Sequence, residues 1–242
     1  MNKYSNYLVI LLSLPIFLSG CFHDSSSPTR STAKNIILFI GDGMGAEHRK
    51  AARWATVGKN GKLAMDNMPA SGWIQTHSAD SVITDSAAAA TAMATGVKTN
   101  NGVIALDMNL GYVSTILEKA KGKGKLTGLV TTTHITHATP AAFASHVEDR
   151  DRMKEIAEQM LVTGVDVLLG GGEDEFLPMS DSGCYPGAGK RRDGRNLINE
   201  ATAIGYMYVC DQASFSLIDP DSTQQLIGLF ADEGMTRPFS PS

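Results

Sequence analysis

Short apolar runs alternate with helix-forming segments along this chain, and that alternation leaves few folds open. Asn35-Ile36-Ile37-Leu38-Phe39-Ile40 is a continuous apolar run of the kind expected in a buried strand. Leu126 to Thr132, dominated by β-branched residues, reads as a second buried strand. Val165 to Leu169, ending in Gly170-Gly171-Gly172, reads as a third. Gly72 to His77, Ile104 to Asp107 and Tyr206 to Val209 are shorter strand candidates. Helices are expected after the Gly41 loop, from Ser86, over Thr115 to Lys121, from Pro140, over Asp151 to Leu161 and ending at Ala201 to Gly205. This order predicts an α/β fold: a mostly parallel central sheet with helices on both faces. There is no internal repeat.

Three segments carry chemistry. In Thr84-Asp85-Ser86-Ala87-Ala88-Ala89-Ala90-Thr91-Ala92-Met93-Ala94-Thr95-Gly96, a hydroxyl stands at the mouth of an alanine-rich helix that Gly96 stops. Asp85 and Ser86 are both natural N-cap types. A serine there faces the positive end of the helix dipole, which favours an alkoxide and an incoming phosphate. The rival account is that Ser86 is only a cap. The Asn35 run ends in Gly41-Asp42-Gly43-Met44-Gly45, placing a carboxylate at a strand end, where open α/β sheets bind ligands. Gly41, Gly43 and Ala46 also fit a loose dinucleotide-binding spacing, with Asp66 near the place of a ribose-binding acid. That alternative explains neither Asp42 nor the Asp85-Ser86 pair. The third segment, Thr131 to Arg150, holds His134, His137, Thr139 and Arg150 around a helix opened by Pro140.

With these segments the chain resembles the alkaline phosphatases. Asp42 in Gly-Asp-Gly-Met-Gly resembles the carboxylate that bridges a zinc and the magnesium. Ser86 in Thr-Asp-Ser-Ala-Ala resembles the nucleophile that becomes phosphoserine, with Asp85 supporting it. Thr139 in His-Ala-Thr-Pro-Ala-Ala resembles the magnesium-site hydroxyl, and Arg150 the guanidinium that grips two phosphate oxygens. His137 falls where some bacterial members carry Asp and others His, which leaves the third metal's identity open. The resemblance implies a hydrolase of small phosphate monoesters working at alkaline pH with two zinc ions and one magnesium. It leaves a homodimer open. His48, His77, His134 and His146 are read as structural. Family members are much longer and supply further Asp, His and Glu ligands from a C-terminal half. No such segments follow Arg150, so residues 34–242 are expected to be the N-terminal part of the domain, incomplete and inactive alone.

The N-terminus is read as a targeting segment over residues 1–21. Lys3 supplies a basic start, and Tyr7 to Leu18 a short apolar stretch. Leu18-Ser19-Gly20-Cys21 resembles a bacterial lipobox, which implies lipid on Cys21, export to the periplasm or cell surface, and a membrane anchor. Ordinary cleavage beside a chance cysteine is the alternative. Residues 22–33 are polar and Ser-rich and read as a tether. Cys184 and Cys210 then remain, and in an exported protein their pairing is plausible. Neither has the spacing of a zinc site. A net charge of −4 without a basic stripe gives no sign of a specific nucleic-acid partner, and none is expected. Beside the hydrolase, two other classes stay open: a non-catalytic surface lipoprotein, and a nucleotide-binding module using the Gly41 loop.

Overall fold

The computed structural model describes residues 33–235. The predicted targeting segment, Cys21 and most of the tether lie outside the described residues. The chain divides into two compact units, residues 1–41 and 42–242. In the first, residues 33–41 form no helix or strand, and Ile36, Ile37, Leu38 and Phe39 are exposed. The buried strand predicted for Asn35 to Ile40 is therefore not formed. An apolar strand needs a neighbour for its N–H and C=O groups and a layer over its side chains. Among the described residues no strand pairing is formed by this run.

The second unit contains seven helices and four strands among its described residues: α1 (Ala46–Val57), α2 (Ser86–Thr95), α3 (Ile116–Lys121), β1 (Gly128–His134), α4 (Ala138–Ala144), α5 (Met153–Thr163), β2 (Val167–Gly171), α6 (Leu197–Ala203), β3 (Met207–Val209), α7 (Gln212–Ser216) and β4 (Leu226–Leu229). The strands form one sheet in the order β1-β2-β4-β3, and all three pairings are parallel. Leu168 stands between Leu129 and Ile227 in the register. Parallel strands need a crossover between them. Here α5 joins β1 to β2, α6 joins β2 to β3, and α7 joins β3 to β4.

Three strand expectations need correction. The Leu126 strand forms from Gly128, but it is the sheet edge, and Leu126 and Val130 are exposed instead of buried. Leu126 lies before the strand begins, and within it exposed and half-buried residues alternate, so one face of β1 is uncovered among the described residues. Gly72 to His77 makes no strand, and Trp73 and Ile74 stay exposed. Ile104 to Asp107 gives only single bridges, Ile104 to Val147 and Leu106 to Tyr112. The cause is local: Ala105 has φ +48°, outside the extended region. Conversely β4, Leu226-Ile227-Gly228-Leu229, was not predicted, yet all four residues are buried.

The part of the fold that positions the site is a pair of short helices. α2 buries Ala87, Ala88, Ala90, Thr91 and Ala94, and α4 buries Ala138 and Pro140 to Ala144. Small side chains on both surfaces let the two helices pack closely. Pro140 is tolerated because it lies in the first turn, where its missing N–H has no helical partner to lose. Gly96 ends α2 at φ +79°, its N–H bonding Ala92 O at 2.9 Å. Farther along, Cys184 is joined to Cys210. The buried Glu173 holds the same loop, accepting from Cys184 N–H at 2.9 Å, Tyr185 N–H at 3.2 Å and the Tyr208 hydroxyl. No helix among the described residues is long and apolar enough to cross a membrane.

Candidate active site

Asp85 is the N-cap of α2, and its Oδ1 accepts from Ala88 N–H at 2.9 Å. Ser86 is the next residue, so its side chain stands at the positive end of the helix. Its Oγ donates to Asp42, with Oδ1 at 3.0 Å and Oδ2 at 2.9 Å. Thr139, in the first turn of α4, donates to the same Asp42 Oδ2 at 2.8 Å. Asp42 sits in a turn beside Gly43, whose φ of +67° is a conformation glycine adopts without strain. Two helix N-termini thus deliver two hydroxyls to one exposed carboxylate.

A second cluster adjoins the first. Asp85 Oδ2 accepts from Gly102 N–H and from Arg150 Nη1, each at 3.0 Å. Arg150 Nη2 lies 3.0 Å from His137 Nε2. A guanidinium only donates, so Nε2 is the acceptor, and the neutral ring carries its proton on Nδ1. Burial, then the Arg150 charge, lowers the His137 pKa and keeps the ring neutral. His137 Nδ1 is itself buried without a hydrogen-bond partner. The structure therefore brings Asp42, Ser86 and Thr139 into one contact group, and Asp85, His137 and Arg150 into another.

Residues that the sequence reading passed over hold these clusters. Asn101 Oδ1 accepts from Asp85 N–H at 3.0 Å, and its Nδ2 donates to Ile83 O at 3.0 Å. Asp80 accepts from Asn101 N–H at 3.0 Å and from Ser78 Oγ at 2.9 Å. Their signal was the turn sequence Asn100-Asn101-Gly102, which points to a loop but not to what the loop holds.

Asp42, Ser86 and Thr139 offer hard oxygens, which suit magnesium, and His137 would add a nitrogen only on giving up its Nδ1 proton or the bond from Arg150. Among the described residues no group of three or more His, Cys, Asp or Glu side chains is gathered. The set fits part of a magnesium shell. A zinc site, which takes three or four protein donors, is not closed by it. The nucleotide-binding alternative loses its acid: Asp66 is taken by Arg53, at 2.9 Å, and by Arg49, at 3.1 Å.

The alkaline phosphatase family profile matches residues 33–240. The chain belongs to the alkaline phosphatase family. It is 44% identical to alkaline phosphatase 3 of Bacillus subtilis over 84% of its own length and 43% of that protein's. It resembles the crystal structure of a cold-active alkaline phosphatase from the psychrophile Shewanella sp. with a TM-score of 0.69 and 34% identity, over 81% of this chain and 46% of that one. A His-to-Asp mutant of the TAB5 alkaline phosphatase, solved with magnesium in its M3 site, matches with a TM-score of 0.63 and 29% identity, over 77% of this chain and 50% of the other. The chain spans about half the length of the relatives it matches. The fold is the family's α/β type, with a parallel sheet flanked by helices.

Proposed function

We propose that the whole protein hydrolyses small phosphate monoesters through a phosphoserine at Ser86. The observation that carries this is one hydroxyl at a helix N-terminus, hydrogen-bonded to Asp42, beside an arginine standing on the neighbouring Asp85. A free serine hydroxyl is a poor nucleophile, and contact with the Asp42 carboxylate orients it and gives its proton an acceptor. Ser86 Oγ bonds to phosphorus, and the ester oxygen leaves with the alcohol. Water then cleaves the phosphoserine, restoring Ser86 and releasing inorganic phosphate. Arg150 presents a planar fork of N–H donors that matches two phosphate oxygens. Asp85 holds that fork in place while substrate is absent.

Asp42 and Thr139 are the residues that would hold magnesium, with His137 as a third donor and Ser86 shared with a zinc site. A bound divalent ion supplies neutralising charge and lowers the pKa of an oxygen coordinated to it. The family resemblance implies two zinc ions and one magnesium in the whole protein. Cys21 is proposed to carry lipid and hold the protein at a membrane facing the periplasm or cell exterior. Mass spectrometry of the mature N-terminus checks that point, and an unmodified N-terminus refutes it. The test of the main reading is phosphoenzyme labelling with an ester radiolabelled at phosphorus, with turnover followed on a chromogenic ester. Ser86→Ala should abolish labelling and lower turnover at least about a hundredfold. Labelling that survives the change refutes Ser86 as the nucleophile.

A further inference from the structure

A polar network centred on His146 reaches the site from behind. Its Nδ1 lies 2.8 Å from the Ala105 carbonyl oxygen, and its Nε2 lies 2.8 Å from Glu118 Oε1. A carbonyl oxygen only accepts, so Nδ1 is the donor to Ala105. Tyr112 packs on the imidazole with ring centres 4.3 Å apart, and its hydroxyl donates to Glu118 Oε2 at 3.1 Å. Thr115 N–H reaches the same oxygen at 2.8 Å. These contacts fix the plane of the ring. The His146 backbone is clamped separately by Gln159, its N–H to Oε1 at 2.6 Å and its C=O to Nε2 at 3.1 Å.

Ala105 is the strained point of this network. It is fully buried and lies at φ +48°, a left-handed conformation that costs a residue with a Cβ roughly 1 kcal/mol or more. Such a residue persists only where its surroundings hold it. Here Thr91 of α2 takes the Ala105 N–H on Oγ1 at 2.9 Å, and His146 holds the carbonyl on the other side. The consequence lies three residues upstream. Ile104 and Val147 exchange backbone bonds of 2.9 and 3.1 Å, and Arg150 N–H bonds Gly102 O at 2.8 Å. Gly102 N–H in turn bonds Asp85 Oδ2 at 3.0 Å. Gly102 therefore touches both Asp85 and Arg150, and its place depends on the turn at Ala105.

We infer that His146 is a positioning residue for Arg150: by holding the Ala105 carbonyl it fixes the Gly102–Ile104 backbone on which Arg150 and Asp85 are aligned. The inference rests on the reading of Arg150 as the phosphate-gripping group, and its structural half can be judged without activity. The amide of Asn places a donor near Nδ1, and that of Gln places one near Nε2. His146→Asn should therefore keep the Ala105 bond and lose the Glu118 contact, whereas His146→Gln should do the reverse. In the full chain, amide hydrogen exchange over residues 102–106 and 147–150 should speed up by about fivefold in His146→Gln, the size of one lost hydrogen bond. It should stay near wild type in His146→Asn. In the active protein, inhibition by inorganic phosphate should weaken by about fivefold in His146→Gln and be restored in His146→Asn, with Ser86 labelling at saturating ester retained in both. A wild type that phosphate does not inhibit refutes the functional reading of Arg150 and leaves the exchange data to judge the positioning. Equal exchange in the two variants, or exchange in His146→Gln no faster than wild type, overturns the inference. So does phosphate inhibition unchanged in His146→Gln when the wild type is inhibited.

Discussion

Asp85→Asn separates what this carboxylate does as a helix cap from what it does as an anchor. The wild-type side chain accepts three hydrogen bonds: from Ala88 N–H at 2.9 Å, and from Gly102 N–H and Arg150 Nη1 at 3.0 Å each. Asparagine keeps an oxygen for Ala88 and caps as well as aspartate. Its NH2 group then stands where Oδ2 was, facing two donors. A hydrogen bond to a charged group is worth about 1.5–3 kcal/mol and a neutral one about 0.5–1.5 kcal/mol. The side chains of Arg150 and Asp85 are 24% and 26% exposed, so solvent screening trims the ionic share. The expected loss is about 2–3 kcal/mol, read from urea unfolding followed by far-UV circular dichroism. Asp85→Ala should lose the cap as well, about 1 kcal/mol, but places no opposing donor. Asparagine is thus expected to cost about as much as alanine despite being the smaller chemical change. If Asp85→Asn stays within about 0.5 kcal/mol of wild type while Asp85→Ala does not, the carboxylate is only a cap and the Arg150 anchor is wrong.

Three further outcomes follow from the structure. Replacing Cys184 and Cys210 together by Ser opens a loop spanning 26 residues and should cost about 3 kcal/mol, seen as a lower melting temperature; a melt insensitive to the change would refute the bond's contribution. Asp166 is buried, which raises its pKa, but bonds from Thr127 N–H, Thr127 Oγ1 and Lys121 Nζ outweigh that and hold it below the ordinary carboxylate value. Its contribution is therefore complete above the unfolded value of about 3.9 and is lost as pH falls through the folded one; Asp166→Asn should flatten the stability slope below about pH 4, and an unchanged slope rejects the assignment. His137→Asp exchanges a nitrogen donor for a hard oxygen beside Asp42 and Thr139, so magnesium should bind more tightly by calorimetry; equal affinity would show that His137 does not face the ion.

What the sequence revealed of the site depended on how local each cause was. The start of α2 at Asp85-Ser86, its stop at Gly96 and a helix beside Pro140 are set by neighbouring residues and could be read directly, whereas the choice of Asp85 over Ser86 as the cap and the helix start at Ala138 could not. The β2 strand, running into Gly171, and β3 could be read for the same reason. The failures share a different cause. Asn35 to Ile40 and Gly72 to His77 have strand composition, but a strand exists only where another strand accepts its hydrogen bonds. Ala105 carries no local mark of its left-handed turn, because that turn is imposed by Thr91 and His146 from distant parts of the chain. β4 was missed because four residues containing a glycine give too short a pattern to separate strand from loop.

The adjacency of Asp85 and Ser86 explains why both clusters can share one helix end. The N-cap side chain must fold back over the first turn to reach the Ala88 N–H, which commits Asp85 to the Gly102 and Arg150 side. Ser86, as the first helical residue, is freed from capping and turns its hydroxyl to Asp42. Had Ser86 been the cap, its hydroxyl would be spent on a backbone N–H and would not be available for transfer chemistry. The aspartate immediately before it therefore does two things at once. It releases the Ser86 hydroxyl from the cap, and it holds the guanidinium beside the helix end, where the dipole already favours an anion. In α4 the same logic recurs without a side-chain cap: His137, its N-cap residue, makes no capping bond and instead accepts from Arg150, and Thr139 two residues on is free to meet Asp42. Two short helices thus bring two hydroxyls to one carboxylate from segments up to 97 residues apart in sequence.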